Sequence, residues 1–302
     1  MAKLEFDTPP RLAPAYGRAL FCRRPGVSTA GDLPALSACW KGARVTEEAL
    51  SRYAVICGLS VDQRIPIHYP HVLASPIHLH LLTHPEFPLS LLGAVHLRNH
   101  TIRYRPIAAS ETFDIHAWIQ GGRMRPQGIE IDVDTRAEAG EETLWAERTT
   151  LLVRQKFDRE DPASPLADVF PWNASEDVGL SLGQFQVPAG AGKRYAAITG
   201  DYNPIHVSCW LARAFGFKRD LVHGMWGAAR AVAGLVEFES EGPVRVDVAF
   251  KGPLFMEHSV DVRGVDCAGG RSLRLFCGTE PRPAAQIVIR VVDPDAIPDH
   301  AP

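Results

Sequence analysis

One short run of the chain combines a carboxylate, an amide and an imidazole. Asp201, Asn203, Pro204 and His206 follow directly on Gly200. Asn followed by Pro predicts a helix start, because Asn caps free backbone N–H groups and Pro at the first helical position loses no hydrogen bond. His206 then falls on the first helical turn, and Gly200 allows a sharp bend before Asp201. An acid and a base that face one small volume could transfer protons to and from a substrate.

The same residues also have a purely structural interpretation, as a capped helix start that carries a packed histidine. Two later segments favour the chemical interpretation. The run from Tyr195 to His206 is followed by Phe-Gly-Phe at 215–217 and by Val-His-Gly-Met at 222–225. Together these segments resemble the hydratase signature of the MaoC-like dehydratase family, over roughly residues 183–293. That family comprises (R)-specific enoyl-thioester hydratases and 3-hydroxyacyl-thioester dehydratases of the hot-dog fold.

The resemblance implies a hydro-lyase that adds water to a trans-2-enoyl thioester, giving the (R)-3-hydroxyacyl thioester, or removes it again. Asp201 and His206 would hold the water, and the residues leave open which of the two is the base. The helix start disfavours the imidazolium form and Asp201 favours it, so we expect His206 to titrate near neutrality. The backbone N–H of Gly224 would stabilise the enolate oxygen, unless Gly224 only permits close packing. A serine found one turn further on in some relatives is replaced here by Ala229.

The resemblance also implies the residues and partners that bind the substrate. Asn203, His223 and Tyr195 would contact it. The partner would be an acyl-CoA or acyl carrier protein thioester, and the sequence does not distinguish the two. Four cations could pair with carrier phosphates or could simply cover the helix surface: Arg213, Lys218, Arg219 and Arg230.

Composition argues against several other functions. The chain has 302 residues and a net charge of −3, without a basic region suited to nucleic acid. We see no apolar stretch approaching the roughly 18 residues of a membrane span and no signal core, so we expect a cytoplasmic protein. The six cysteines show no metal or redox spacing and are expected to be free thiols.

A group of histidines invites a metal interpretation. They lie between positions 68 and 84, without a carboxylate in the same span and without a common zinc spacing: His68, His71, His78, His80 and His84. We therefore predict no metal. No Gly-rich nucleotide loop is found, so no redox cofactor is expected.

Two internal sequence repeats predict a duplicated unit of about 140 residues. In the first, Arg-Tyr-Ala-Val-Ile-Cys-Gly at 52–58 is repeated as Arg-Tyr-Ala-Ala-Ile-Thr-Gly 142 positions later. In the second, Pro106 corresponds to Pro253, 147 positions later, and both prolines follow a predicted strand that ends in a basic residue. The first copy lacks the motif, since Leu59, Val61, Asp62 and Arg64 stand at the corresponding positions. One catalytic centre is therefore expected, in the second copy.

The predicted architecture is α+β, a double hot-dog in which each antiparallel sheet wraps a helix. We assign residues 1–40 to an N-terminal arm, 41–157 to a degenerate hot-dog that binds the acyl chain, 158–180 to a linker and 181–302 to the catalytic hot-dog. Helices are predicted at 45–54, 204–215 and 223–238. In the first copy Pro-rich sequence leaves only a short helix, capped by Ser75 with Pro76 at its first position. Strands are predicted at 95–106, 110–121, 127–138, 142–154 and 285–292, with the last one central.

Two other functions remain open at this point. One is a hot-dog thioesterase, which the Asp-x-Asn-Pro-x-His signature disfavours. The other is a non-catalytic acyl-binding subunit, which retention of Asp201 and His206 disfavours. The chain could also form a homodimer.

Overall fold

The computed structural model describes residues 2–60, 63–170, 179–233, 235, 240–267 and 269–292. The helices are α1 (Leu12–Phe21), α2 (Glu47–Cys57), α3 (Tyr69–Leu82), α4 (Ala191–Thr199), α5 (Pro204–Val207), α6 (Cys209–Ala214) and α7 (Gly224–Ala231). The strands are β1 (Ala2–Phe6), β2 (Leu36–Ala43), β3 (Val95–Arg103), β4 (Phe113–Arg125), β5 (Gly128–Ala139), β6 (Glu142–Val153), β7 (Leu180–Gln186), β8 (Leu221–Val222), β9 (Val244–Phe250), β10 (Leu254–Phe255), β11 (Ser259–Cys267), β12 (Gly270–Cys277) and β13 (Ala285–Val291). The β-rich content with a few helices confirms the α+β prediction.

Eleven of these strands form one sheet, which joins the two copies. Its order is β1-β2-β4-β5-β6-β3-β9-β13-β12-β11-β7, and only the β1–β2 pair is parallel. The first copy contributes β2-β4-β5-β6-β3 and the second contributes β9-β13-β12-β11-β7, and the two sets meet at the β3–β9 pair. Each copy therefore has five antiparallel strands, and β1 is an additional strand at the outer edge of the first copy. The sheet predictions for the first copy and for a central β13 are confirmed.

The β3–β9 junction lies on the local symmetry axis that relates the copies. In its register His100 faces Asp247. These positions are 147 apart, the same offset that separates Pro106 from Pro253. An antiparallel pair in which equivalent residues face each other marks a twofold relation, so the two sheets join like those of a dimer.

The repeat of residues 52–58 at 194–200 corresponds to the end of a helix in each copy. α2 and α4 both end at a glycine in the left-handed conformation, Gly58 (φ 65°) and Gly200 (φ 76°). A Cβ is disfavoured in that conformation. The two helices pack together, with the rings of Tyr53 and Tyr195 6.4 Å apart. Thr46 caps α2, since its side chain accepts a hydrogen bond from the Ala49 N–H.

Three helix predictions need correction. α3 is not short: it runs from Tyr69 to Leu82 with Pro76 inside it. Buried apolar side chains on both sides of Pro76 offset the hydrogen bond that proline removes. α7 ends at Ala231, and part of the predicted extension to 238 lies outside the described residues. The predicted helix over 204–215 is interrupted at Ser208, which caps the separate helix α6.

The residues assigned to an N-terminal arm form regular structure. β1 pairs in parallel with β2, which in turn pairs with β4 inside the sheet. α1 packs against α3. In the stretch assigned to the linker, Pro165–Val169 form a 3-10 helix, and residues 171–178 lie outside the described chain. Among the described residues, no helix combines the length and the apolar character that a membrane crossing needs.

Candidate active site

Asp201 lies in the turn that joins α4 to α5. Gly200 ends α4 in the left-handed conformation, and the chain then reverses toward α5. The Asp201 Oδ1 accepts a hydrogen bond from the Asn203 N–H at 3.1 Å. Its side chain is 47% exposed, so the carboxylate is anchored on one side and open on the other.

The turn is braced by Tyr16, a residue from α1 that sequence reasoning missed. The Tyr16 hydroxyl donates to the Gly200 carbonyl at 2.6 Å and accepts from the Tyr202 N–H at 2.7 Å. Burial raises the pKa of Tyr16 to about 12, so the phenol keeps its proton and remains a donor. These two bonds fix the backbone immediately before and immediately after Asp201. No local sequence signal links position 16 to position 200.

His206 is placed by the predicted helix start. The Asn203 side chain caps α5 by accepting from the Ile205 N–H at 3.4 Å, which confirms the capping prediction. His206 is 8% exposed, and its Nδ1 lies 2.9 Å from the Leu221 carbonyl. A carbonyl only accepts, so Nδ1 carries the proton and Nε2 presents a lone pair. This tautomer has the form of a general base.

His223 stacks on His206 and touches Asp201. The two imidazole rings lie 3.8 Å apart at 27°. Nε2 of His223 donates to the Asp201 carbonyl at 2.9 Å and lies 3.5 Å from the Asp201 carboxylate. The ring of Tyr195 packs 4.9 Å from that of His223 and is itself 2% exposed. Tyr195 is therefore a buried packing partner of His223. Direct contact of Tyr195 or His223 with the substrate stays a prediction.

The polar atoms of this triad converge. One atom each from Asp201, His206 and His223 lie within 4.8 Å of one another. Two groups at that separation can share a single water molecule through ordinary hydrogen bonds. The same three atoms could hold a cation. They bring together the predicted acid and base in one small volume.

Burial governs the charges of the triad. It lowers the pKa of His206 below the usual histidine value, although the Asp201 carboxylate acts in the opposite direction. Burial and the neighbouring His206 lower the pKa of His223 to about 3. Desolvation inside the site opposes ionisation of the partly exposed Asp201 carboxylate, but the neighbouring His223 and His206 outweigh it and lower its pKa. At neutral pH the site thus holds a carboxylate and two neutral imidazoles. The sequence predicted that His206 titrates near neutrality, but burial places its pKa on the acid side of the usual histidine value.

Gly224 opens α7 directly after His223, which provides no side-chain cap. The first N–H groups of a helix have no carbonyl partner within it and can stabilise negative charge. The Phe250 ring lies so close that a Cβ on Gly224 would come within 2.5 Å of its Cε1. The structure therefore supports both interpretations of Gly224, as a donor and as the residue that permits close packing. Ala229 is buried in α7 and offers no hydroxyl.

Three of the four predicted cations surround one cavity of about 500 Å³ next to α6. Lys218 pairs with Glu280 at 2.7 Å, Arg219 pairs with Glu257 at 2.6 Å, and Arg213 lies over the Trp210 ring. The fourth, Arg230, lies over the rings of Phe185 and Trp226 instead.

The histidines of the first copy acquire a carboxylate that the sequence did not place near them. Glu147 from β6 accepts from His71 at 2.7 Å. His71, His78 and Glu147 each offer an atom within 4.8 Å of the others, as do Cys39, Asp114 and His116 on the outer strands. The prediction that no carboxylate accompanies these histidines is wrong, because Glu147 is distant from them along the chain but contacts His71 in the folded protein.

Comparisons with known proteins find matches to the region that contains this site. Residues 187–272 match the protein family described as MaoC like domain, and they include Asp201, His206 and Gly224. The chain is 29% identical over 226 residues to 3-hydroxyacyl-thioester dehydratase X of Mycobacterium tuberculosis, covering 75% of this chain and 79% of that protein.

Solved structures show the same architecture. The crystal structure of HtdX of M. tuberculosis aligns with a TM-score of 0.73 and 25% identity, covering 85% of this chain and all of that one. A conserved hypothetical protein of M. tuberculosis, described as having a double hot-dog fold, aligns with a TM-score of 0.54 at 14% identity over 88% of this chain and 98% of that one. The predicted double hot-dog is confirmed.

Proposed function

We propose that this chain, which carries a MaoC-like domain in a double hot-dog fold, is a 3-hydroxyacyl-thioester dehydratase that also catalyses the reverse hydration of trans-2-enoyl thioesters. The observation that carries the proposal is the convergence of Asp201, His206 and His223 within 4.8 Å, beside the free start of α7. The family match across these residues and the activity named for the mycobacterial relative support it.

The proposed hydration uses one water molecule held by Asp201 and His206. His206 Nε2 takes a proton from the water while its oxygen forms the bond to C3 of the enoyl group. The electron pair of the C2–C3 double bond moves toward the thioester oxygen, where the Gly224 N–H stabilises the negative charge. The His206 imidazolium then delivers its proton to C2, so His206 returns to its starting state. Asp201, ionised, orients the water by accepting its second hydrogen.

The roles of the pair follow from their surroundings. His206 presents an unprotonated nitrogen because Nδ1 is committed to Leu221. Asp201 has a lowered pKa and is a poor proton donor at neutral pH. We therefore propose His206 as the acid–base residue and Asp201 as its orienting partner.

The substrate carrier would be coenzyme A or an acyl carrier protein, both of which present a phosphorylated pantetheine arm. The cavity beside α6, with Arg213, Lys218 and Arg219, supports binding of such a phosphate. Assaying one enoyl chain on both carriers would distinguish them.

Turnover of crotonyl-CoA tests the proposed function, with loss of enoyl absorbance as the readout. We expect the (R)-3-hydroxyacyl product, so coupling to an (S)-specific 3-hydroxyacyl-CoA dehydrogenase should produce almost no NADH. Absence of hydration on both carriers, together with binding of acyl thioesters, would instead favour a non-catalytic acyl-binding subunit. Release of free thiol would favour a thioesterase.

A further inference from the structure

A row of aromatic rings leads from the active site into the first copy. Phe250 packs on Gly224, and the His96 ring lies 4.7 Å from Phe250. His71 in turn stacks on His96 with ring centres 5.8 Å apart at 21°. The row therefore connects the proposed oxyanion donor with α3, the central helix of the copy that has lost the catalytic motif.

His71 is anchored at its inner end by a buried carboxylate. We call His71, Asn99, Glu147 and Thr149 the Glu147 network. Glu147 is completely buried and accepts from His71 Nδ1 and from the Asn99 side-chain amide, each at 2.7 Å, and from Thr149 at 3.3 Å. Each carboxylate oxygen thus has a donor. A buried carboxylate is costly without such partners, so the network holds His71 in one orientation.

The outer end of His71 is open. Its side chain retains 14% exposure, and in the described part of the chain no hydrogen bond to its Nε2 is found. Burial alone would lower the pKa of His71, but Glu147 and, more weakly, Asp201 raise it above the usual value. Burial and the charge of His71 lower the pKa of His96 to about 3. The ionised Glu147 carboxylate bonded to Nδ1 favours the imidazolium form of His71, and in that form its Nε2–H is a free donor.

An open, oriented donor beside a catalytic centre is suited to binding an oxygen atom of the substrate. The charge on His71 is already balanced by Glu147, which favours a neutral carbonyl or hydroxyl oxygen over a carboxylate. Two rings, those of His96 and Phe250, lie between His71 and Gly224, so this oxygen is not the reacting thioester oxygen.

We propose that His71, held by the Glu147 network, is a specificity-determining residue that donates a hydrogen bond to a carbonyl or hydroxyl oxygen of the thioester substrate away from the reacting carbons. This inference rests on the proposed function, and it replaces a purely apolar chain-binding role for the first copy. The oxygen could belong to a substituted acyl chain or to an amide of the pantetheine arm.

Kinetics of the full-length protein and of His71→Gln distinguish these sources. The substrates are trans-2-octenoyl-CoA, its 5-, 6-, 7- and 8-hydroxy derivatives, and trans-2-octenoyl-N-acetylcysteamine, which lacks the outer part of the arm. If an acyl oxygen is bound, the variant should lose about tenfold or more in kcat/KM on one hydroxylated substrate and little on octenoyl-CoA. If the outer pantetheine amide is bound, the loss should be equal on all CoA substrates and absent on the truncated thioester.

Two controls separate this inference from stability and from the proposed function. His80→Gln makes the same change on α3, where His80 instead bonds to the Arg11 carbonyl, and should leave every ratio unchanged. Calorimetric binding of octanoyl-CoA and its hydroxylated forms gives a readout that needs no turnover. Identical substrate profiles and identical affinities for wild type and His71→Gln would overturn the inference, whether or not hydration is observed.

Discussion

His100 and Asp247 occupy equivalent positions in the two copies and are hydrogen-bonded to each other. The His100 Nδ1 donates to the Asp247 carboxylate at 2.8 Å, and both side chains are completely buried. At the axis of a true homodimer a residue would meet its own copy. Here the copies have diverged into a complementary pair, with Arg245 also bound to Asp247 at 2.9 Å. Two copies of either half alone would place like side chains at this point.

Removal of either member of the proposed catalytic pair should abolish most activity. Asp201→Asn and His206→Ala are each expected to lower kcat by at least roughly 10²-fold, since each removes a positioned acid–base or orienting group. The double variant should be little worse than either single one, because the residues act as a unit. Crotonyl-CoA turnover is the measurement, with circular dichroism as the control for folding. Near-normal activity in either single variant would contradict the assignment.

Hydration should persist on the acid side of neutrality. His206 must be unprotonated to act as a base, and burial lowers its pKa below the usual histidine value of 6.5. Because the base form predominates above the pKa, the acid limb of kcat/KM should have its midpoint below pH 6.5. Asp201 acts to raise that pKa, so residual activity of Asp201→Asn should have its midpoint at still lower pH. A midpoint above pH 7 in the wild type would exclude this role for His206.

Loss of the Tyr16 hydroxyl should impair the catalytic turn without unfolding the protein. Tyr16→Phe removes the bonds to Gly200 and Tyr202 and keeps the ring. Misplacement of a catalytic group is costly even when small, so we expect kcat to fall about tenfold or more. Tyr104→Phe, in the first copy, is the matched control and should keep full activity. Equal kcat for both variants would show that the turn holds its position without Tyr16.

A double substitution tests whether crowding by Phe250 accounts for the need for glycine at position 224. Gly224→Ala keeps the backbone N–H but places a Cβ against Phe250, so activity should fall. Adding Phe250→Leu relieves the clash and should restore much of kcat, since alanine retains the backbone N–H that we propose as the oxyanion donor. Enoyl-CoA hydration by the wild type, the two single variants and the double variant is the measurement. Failure of Phe250→Leu to improve Gly224→Ala would count against simple crowding as the cause of the loss.

Acid should destabilise the fold through its buried histidines. Burial lowers the pKa of His68 and His78 to about 4 and of His96 and His223 to about 3. Below pH 6.5 these histidines bind protons in the unfolded chain but not yet in the folded one. The free energy of unfolding therefore decreases as the pH falls toward the folded-state pKa values. The loss is about 1.4 kcal/mol per pH unit for each histidine.

Urea unfolding at pH 7.5, 6.5 and 5.5 would measure this dependence. His71 acts in the opposite sense, because its pKa is raised, but the pKa is lowered for the four histidines above and also for His80, His100 and His206. His68→Met should flatten the dependence, since neither ring nitrogen of His68 has a hydrogen-bond partner in the described structure. An unfolding free energy that stays constant between pH 7.5 and 5.5 would be inconsistent with neutral buried histidines.

Local patterns predicted the parts of the site that lie close together in sequence. The Asn203 cap, the turn at Gly200 and the position of His206 follow from residue types and spacing alone. The strands of the first copy were predictable for the same reason, because alternation along a strand is a local property.

Tertiary contacts decided what the sequence could not predict. The length of α3 depends on apolar burial around Pro76, which outweighs the local penalty of proline. The bonds from Tyr16 to the catalytic turn, and from His71 to Glu147, join residues 186 and 76 positions apart. The lowered pKa of His206 arises from burial, which the motif by itself does not reveal.

The β3–β9 junction has a consequence for how the protein responds to dilution. Where two separate hot-dog subunits meet, contacts between them exist only above the concentration at which they associate. Here both edge-to-edge strands belong to one chain, so the encounter is intramolecular and its effective concentration is set by the connecting segment. The ring contacts that link His71 of one copy to Gly224 of the other therefore form in every folded molecule, even at very low protein concentration.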